Sequence, residues 1–329
     1  MASFAQFGND LYTGKRSYDI VGRRKLWYGI AAVMILAAIV IPLLRGGFIF
    51  GIEFRGGSQF QVSNATNLSQ PFASDTVTKV APNSNPRVSI VGGDSVRIQT
   101  DQLSDTESVK IQQALASAYE VPVKSVTASF IGATWGQDIT RQALTGLAIF
   151  VALAAIVMAL YFRTWKMSLA AIVALLHDLI ITAGFYGIFG IEVTPAAVIG
   201  FLTILGYSLY DTVVVFDKIR ETTSEAGSES RLTFGESVNL AVNQTLVRSI
   251  NTSVVAILPV GAILFIGAFA LGAGTLRDIS LALFVGIIAG TYSTIFIAAP
   301  LYAHLRSRED EIKKRDKRTS AVRQASVTG

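Results

Sequence analysis

Six runs of apolar residues, each close to the roughly 20 needed to cross a bilayer as helix, dominate the chain: Leu26–Leu44, Leu144–Phe162, Met167–Phe189, Ala196–Phe216, Ser249–Leu271 and Ile279–His304. Residues 45–143 follow a different rhythm. Gln59–Val62 alternates as a strand does, and Ser69–Val80 predicts a helix with Pro71 in its first turn, where the missing N–H has no intrahelical partner to lose. Val88–Val91 and Val96–Thr100 read as strands flanking Gly92-Gly93, a two-residue hairpin signal. Ser104 and Glu107 have capping-box spacing ahead of Ile111, Leu115 and Tyr119, which share one helical face. Val123–Phe130 closes the segment with period-two alternation. The order β-α-β-β-α-β is the split βαβ pattern of ferredoxin-like domains. The expected fold is therefore an α-helical polytopic membrane protein of six spans carrying one α+β ferredoxin-like domain. Residues 1–25 form an arm before the first span. Spans two to six occupy 144–304, with a connection at 217–248 whose Thr222–Ser230 stretch is polar and whose second half, Phe234–Val247, reads as a helix leading into span five. Residues 305–329 form a charged tail without apolar periodicity, expected to be disordered.

Composition agrees with the membrane assignment: 51% of residues are hydrophobic and 16% charged, too apolar for a soluble chain of this size. The net charge of +5 is concentrated beside the apolar runs and in the tail, which points to topology and anionic membrane lipid rather than to nucleic acid. Lys15, Arg16, Arg23, Arg24 and Lys25 precede span one; Arg163 and Lys166 lie between spans two and three; Lys218, Arg220, Arg231 and Arg248 lie between spans four and five. The opposite short connections hold Arg277 alone. The positive-inside bias thus predicts cytoplasmic termini and an extracytoplasmic 45–143 domain. The first span is not read as a cleaved signal peptide, since its apolar run is too long and no small-x-small site follows. With no cysteine and two histidines, His177 and His304, thiolate and histidine-rich metal sites are excluded, and no cofactor or metal is predicted.

Ionisable groups inside the spans are costly, by ~2.5–3.5 kcal/mol on insertion scales, and mark candidate sites. Asp211 lies in span four, and Thr203, Tyr207 and Ser208 share its helix face. It reads either as a proton-handling group or as a hydrogen-bonding tie between packed helices. Asp178, preceded by His177 and followed a turn later by Thr182, falls inside span three. Arg248 opens span five with Asn251 and Thr252 on its own face; it reads either as a relay partner or as an arginine reaching the headgroups. Asp217 and Glu221, at the end of span four, are placed to pair with Lys218 or Arg220. Gly200 and Gly206 thin span four, Gly286 and Gly290 form G-x-x-x-G in span six, and Pro259 interrupts span five. A hydrolase built on Ser208 and His177 is disfavoured, because no G-x-S-x-G context accompanies them.

Four stretches carry a family resemblance: Gly51-Ile52-Glu53-Phe54-Arg55-Gly56-Gly57, Gly132-Ala133-Thr134-Trp135-Gly136, Leu176-His177-Asp178 and the long run from Gly206 through Asp211 to Asp217, to which Arg248–Ser253 adds a fifth. Over roughly Ser17 to His304 the chain resembles the SecF family, the smaller half of the bacterial SecDF accessory to the Sec translocon, within the RND superfamily. It departs where Glu53 replaces the usual Asp, Arg55 a common Thr, and Tyr210 a common Asn; Gly56 and Gly57 are retained. The resemblance implies one six-span half, a SecD partner, association with the SecYEG channel, SecA acting earlier on the exported polypeptide, and no enzyme chemistry. It further implies proton-path roles for Asp211 and Arg248. Alternatives are a non-conducting assembly subunit with an Asp211–Arg248 bridge, or half of a small-molecule exporter of the same superfamily.

Overall fold

A computed structural model describes residues 4–91, 93–162, 164–225, 232–269 and 274–328. Gly92 of the predicted hairpin, Arg163, Arg231, residues 226–230 of the polar stretch and the 270–271 end of span five lie outside the described residues.

The small domain has the expected order. β1 (Gly57–Val62), α4 (Gln70–Val80), β2 (Arg87–Val91), β3 (Ser95–Thr100), α5 (Asp105–Ala118) and β4 (Val126–Ile131) build an antiparallel sheet of order β2-β3-β1-β4. Alternation puts Phe60, Val62, Val96 and Ile98 on one face, where Ala73 and Val77 of α4 and Ile111 and Leu115 of α5 cover them. The Phe72 and Tyr119 rings meet edge-on at 5.2 Å in this core. The capping box forms as its spacing predicts: the Glu107 N–H donates to Ser104 Oγ at 3.3 Å and the Ser104 N–H to Glu107 Oε2 at 2.9 Å. The opposite sheet face is polar. Gln59 faces Gln99, and Gln61 faces Arg97.

The six long helices are α2 (Arg24–Leu44), α6 (Ala133–Phe162), α7 (Trp165–Phe189), α8 (Pro195–Glu225), α9 (Phe234–Phe269) and α10 (Gly274–Ser293), the last continuing through a π-helical turn at Thr294–Ala298 into α11 (Ala299–Arg306). Half of the most apolar stretch of α7, 44% of that of α8 and 56% of that of α10–α11 is buried, against 11–17% for α2, α6 and α9. The former three are therefore the inner layer. Small residues set how closely helices approach: a Cβ on Gly286 would run into Ile204, one on Gly200 into Ala282, and one on Gly184 into Ala38 of α2. Gly206 meets nothing, so its absent side chain serves no such contact.

Several boundaries move. Span two begins at the sheet domain, since α6 starts at Ala133 and not near Leu144. The 217–248 connection is largely helix: α8 runs to Glu225, stabilised by Lys218–Glu221 at 2.7 Å, and α9 starts at Phe234 behind a second capping box, Thr233 with Glu236. Pro259 leaves α9 unbroken. The tail expected to be disordered is helical as α12 (Asp310–Thr328). It lacks a full apolar stripe but is anchored by polar ties: Ile312 and Thr319 are buried, the Phe234 N–H donates to Asp316 at 2.7 Å, and Arg323 pairs with Glu236 at 2.8 Å. The arm contributes a short helix, α1 (Phe4–Tyr12), and then pins itself to α9, the Tyr18 and Ile20 N–H groups donating to Asn243 and Asn239 at 2.8 and 2.9 Å.

Candidate functional site

About halfway along the inner helices the apolar packing gives way to carboxylates and hydroxyls. Asp178 of α7 is wholly buried. Its Oδ2 accepts from Ser208 Oγ of α8 at 2.5 Å, and its Oδ1 lies 3.2 Å from His177 Nδ1. Gly290 of α10 packs closely on this contact: a Cβ there would sit 3.2 Å from Ser208 and 3.5 Å from Asp178 Oδ2. Ser293, donating to the Gly290 carbonyl at 3.2 Å, lies beside the same carboxylate. One turn along α8, Asp211 is 6% exposed and its Oδ1 accepts from Ser249 Oγ of α9 at 2.9 Å. Hydroxyl pairs continue the layer: Ser253 with Thr291 at 2.5 Å and Thr212 with Thr294 at 2.9 Å.

Three loose ends mark this network. Asp211 Oδ2 and His177 Nε2 are buried and have no hydrogen-bond partner. The Tyr207 hydroxyl is likewise buried, near Ser253 but without a properly formed bond. An acceptor and a ring nitrogen left open in an apolar span are costly.

The structure brings together Asp178, His177, Ser208, Tyr207 and Asp211, and sends the other predicted residues elsewhere. Thr203 bonds only its own helix, to the Ile199 carbonyl. Arg248 is exposed on α9, joins none of the ion pairs among the described residues, and acts on Asp211 only through space. Asn251 is exposed beside it and Thr252 bonds back to the Arg248 carbonyl at 2.9 Å. The residues of α9 that line the site are Ser249 and Ser253, one position further round. Sequence reasoning missed them, along with Thr212, Thr291, Ser293 and Thr294. For Thr294 the sequence signal was Pro300, which marks the turn that holds it. A proline has no N–H for the carbonyl four residues back and its ring collides with it, and the turn before Pro300 opens to a π-turn, the Ala299 N–H donating to the Thr294 carbonyl.

The glycine-rich motif 51–57 forms a second polar centre, at the joint between sheet domain and bundle. Gly51 caps the short α3 (Ile52–Arg55); its N–H donates to the Val193 carbonyl at 3.0 Å, while the Val193 N–H donates to Ile49 at 2.7 Å. Gly56 and Gly57 have φ of 77° and 142°, which other residues rarely adopt, and a Cβ on Gly57 would strike the Thr100 carbonyl. The Phe54 carbonyl lies against Gly136, which accounts for the glycine of the second motif. Glu53 Oε2 and Glu192 Oε1, both buried and unpartnered, flank Gly51. Burial pushes the Glu192 carboxyl up; the Gln99 amide opposes this, the Glu53 charge adds to it and Arg97 opposes it. Arg55 pairs loosely with Asp101 at 3.7 Å. Asp278 completes the joint, accepting from Thr194 Oγ1 at 2.8 Å and pairing with Arg277 at 3.2 Å. Among the described residues no cluster of three or more metal-ligating side chains occurs.

Six membrane-spanning helices with a split βαβ domain after the first, and carboxylates inside the inner spans, are the architecture of one half of an RND-type membrane protein. Residues 110–308 match the family model for the protein export membrane protein SecD/SecF, C-terminal. The chain is 46% identical to the protein translocase subunit SecF of Streptomyces coelicolor, over 98% of this chain and 86% of that protein, and 36% identical to that of Rhodothermus marinus, over 89% and 94%. The crystal structure of SecDF from Thermus thermophilus, described as a translocon-associated membrane protein, superposes with a TM-score of 0.77 at 28% identity, covering 89% of this chain and 39% of that longer one. The chain belongs to the SecF family of protein translocase subunits.

Proposed function

We propose that the chain is an auxiliary subunit of the Sec translocase which, paired with SecD, uses the proton motive force to promote late steps of preprotein translocation across the bacterial plasma membrane. Its termini lie in the cytoplasm, its sheet domain faces outward, and the pair works beside the SecYEG channel after SecA has driven the polypeptide part of the way. The observation carrying this reading is Asp211, a carboxylate inside a span with one oxygen held by Ser249 and the other open. Such a group can take and lose a proton when the helices around it move. Asp178 and His177 extend the path inward through Ser208, and Arg248 is its fixed positive neighbour. One charge crossing 100 mV supplies about 2.3 kcal/mol, enough to shift a two-state equilibrium roughly fiftyfold. The joint at Gly51–Gly57 and Glu192 passes helix displacement to the sheet domain.

The bridge reading fares less well, since Arg248 faces away from the inner layer while Ser249 holds Asp211. The deciding experiment is Asp211→Asn in the assembled complex. Proton-gradient-dependent export is expected to fall at least tenfold, with membrane insertion and abundance unchanged. Export at the parental rate defeats the proposal.

A further inference from the structure

A cleft of about 740 Å³ lies at the terminal end of the bundle, between the ends of α8 and α11, the start of α9 and the α12 helix. Its wall is strongly basic: Arg220, Arg306, Lys314, Arg315 and Arg318 line it, with Glu311 the one acid among the described residues. Arg306 is already engaged, by Glu309 at 3.3 Å and by the Tyr302 hydroxyl at 3.1 Å. Arg315 is not. Its Nη1 donates to the Thr223 carbonyl at 3.4 Å, but Nε and Nη2 are buried with no hydrogen-bond partner. Those two nitrogens are the edge of a guanidinium that receives two oxygens of a carboxylate or phosphate in parallel. Arg315 as a whole is half-buried in the wall of the cleft, so a turn of its side chain brings that edge to the opening, and Lys314 and Arg318 add positive charge to the same wall.

We propose that this cleft is a binding site for a phosphate-bearing anion, with Lys314 and Arg318 as its exposed rim and the Arg315 fork, turned outward from the wall, as its seat. Phe162 and Ile312 supply an apolar patch beside the charged wall, so the ligand is a phosphate on an organic stem or a free phosphate. Phe162 is the last residue of α6, so the cleft lies at the end of that span. The two sources are therefore an anionic phospholipid headgroup and soluble phosphate, and they share the chemistry that Arg315 reads. Nothing in this site depends on the proton relay, from which it is separated by the cytoplasmic-side turns of α7 and α8.

The test uses the full chain in nanodiscs of equimolar phosphatidylglycerol and phosphatidylcholine, with lipids retained after extraction counted by native mass spectrometry. Phosphatidylglycerol is expected to be enriched about tenfold over phosphatidylcholine, given the strength of basic clusters toward anionic lipid. Lys314→Gln combined with Arg315→Gln and Arg318→Gln should bring the ratio to near one. Removing three charges from the arm instead, through Lys15→Gln, Arg23→Gln and Lys25→Gln, should leave it within twofold of the parent. Arg315→Lys preserves charge and fold but not the fork, and should lower the enrichment about threefold or more. Inorganic phosphate, titrated by calorimetry into pure phosphatidylcholine nanodiscs, supplies the second arm. Binding there that is lost in the triple variant, without phosphatidylglycerol enrichment, identifies the soluble anion as the ligand and sustains the site. Absence of both signals overturns the proposal. So does equal loss in the arm variant, or an Arg315→Lys protein that behaves as the parent.

Discussion

Two polar centres lie inside this protein, and they solve the problem of burial in opposite ways. The one within the spans is built from two carboxylates and a set of hydroxyls, with Arg248 turned outward, so that its carboxylates are held by Ser208, Ser249 and His177. The one at the joint collects whole charges of both signs, Glu53, Glu192 and Asp278 with Arg55, Arg97 and Arg277, around backbone ties. Hydroxyl donors hold a carboxylate whether or not it carries a proton. Charge compensation with rigid backbone does not adapt in that way. On the function proposed above, the membrane centre carries the protons used in export and the joint carries the mechanical attachment.

The joint should be the less forgiving of the two. Gly57→Ala places a side chain against the Thr100 carbonyl at φ 142° and is expected to destabilise the sheet domain by about 3 kcal/mol, read by denaturant unfolding of the full chain in micelles. A cost below that of the following variant would erase the distinction. In the membrane centre, Ser208→Ala leaves Asp178 Oδ2 without its donor, at about 1–2 kcal/mol, read by the same unfolding. The smallest effect is expected at Glu192. Its carboxyl is held above the ordinary value, so the folded state binds the proton more tightly than the unfolded chain, and stability declines as pH rises through and above the usual carboxylate range. Glu192→Gln removes that decline: the variant should melt higher than the parent at pH 7, with the gap closing below pH about 4.5. A gap that is constant across pH would show that Glu192 does not titrate in this window.

Most elements were legible from pattern alone, because each carried its own signal. The capping boxes, the alternation of β1 and β3 and the six apolar runs are local statements, and local physics decided them. What was hidden depended on orientation. Along α9, residues on every side are apolar enough for lipid, so nothing in the sequence says whether Arg248 or Ser249 looks inward; one residue turns the face by about 100°. The packing of α8 and α10 makes that choice, through Gly286 against Ile204 and Ser253 against Thr291. The α12 helix was hidden for a related reason. Its anchors, Asp316 to Phe234 and Arg323 to Glu236, join residues far apart in the chain, and no window of the tail contains both partners.

The wide turn at Thr294–Ala298 has a geometric consequence for the sixth span. An additional residue in one turn rotates everything beyond it by about 100° relative to an uninterrupted helix. Gly286, Gly290 and Ser293 therefore belong to one helical wheel, and Ala299, Tyr302 and Ala303 to another. Two neighbours with incompatible spacing are thereby served by a single rod: α8 along its first half, and the aromatic cluster of Phe216 and Phe234 around Tyr302 along its second.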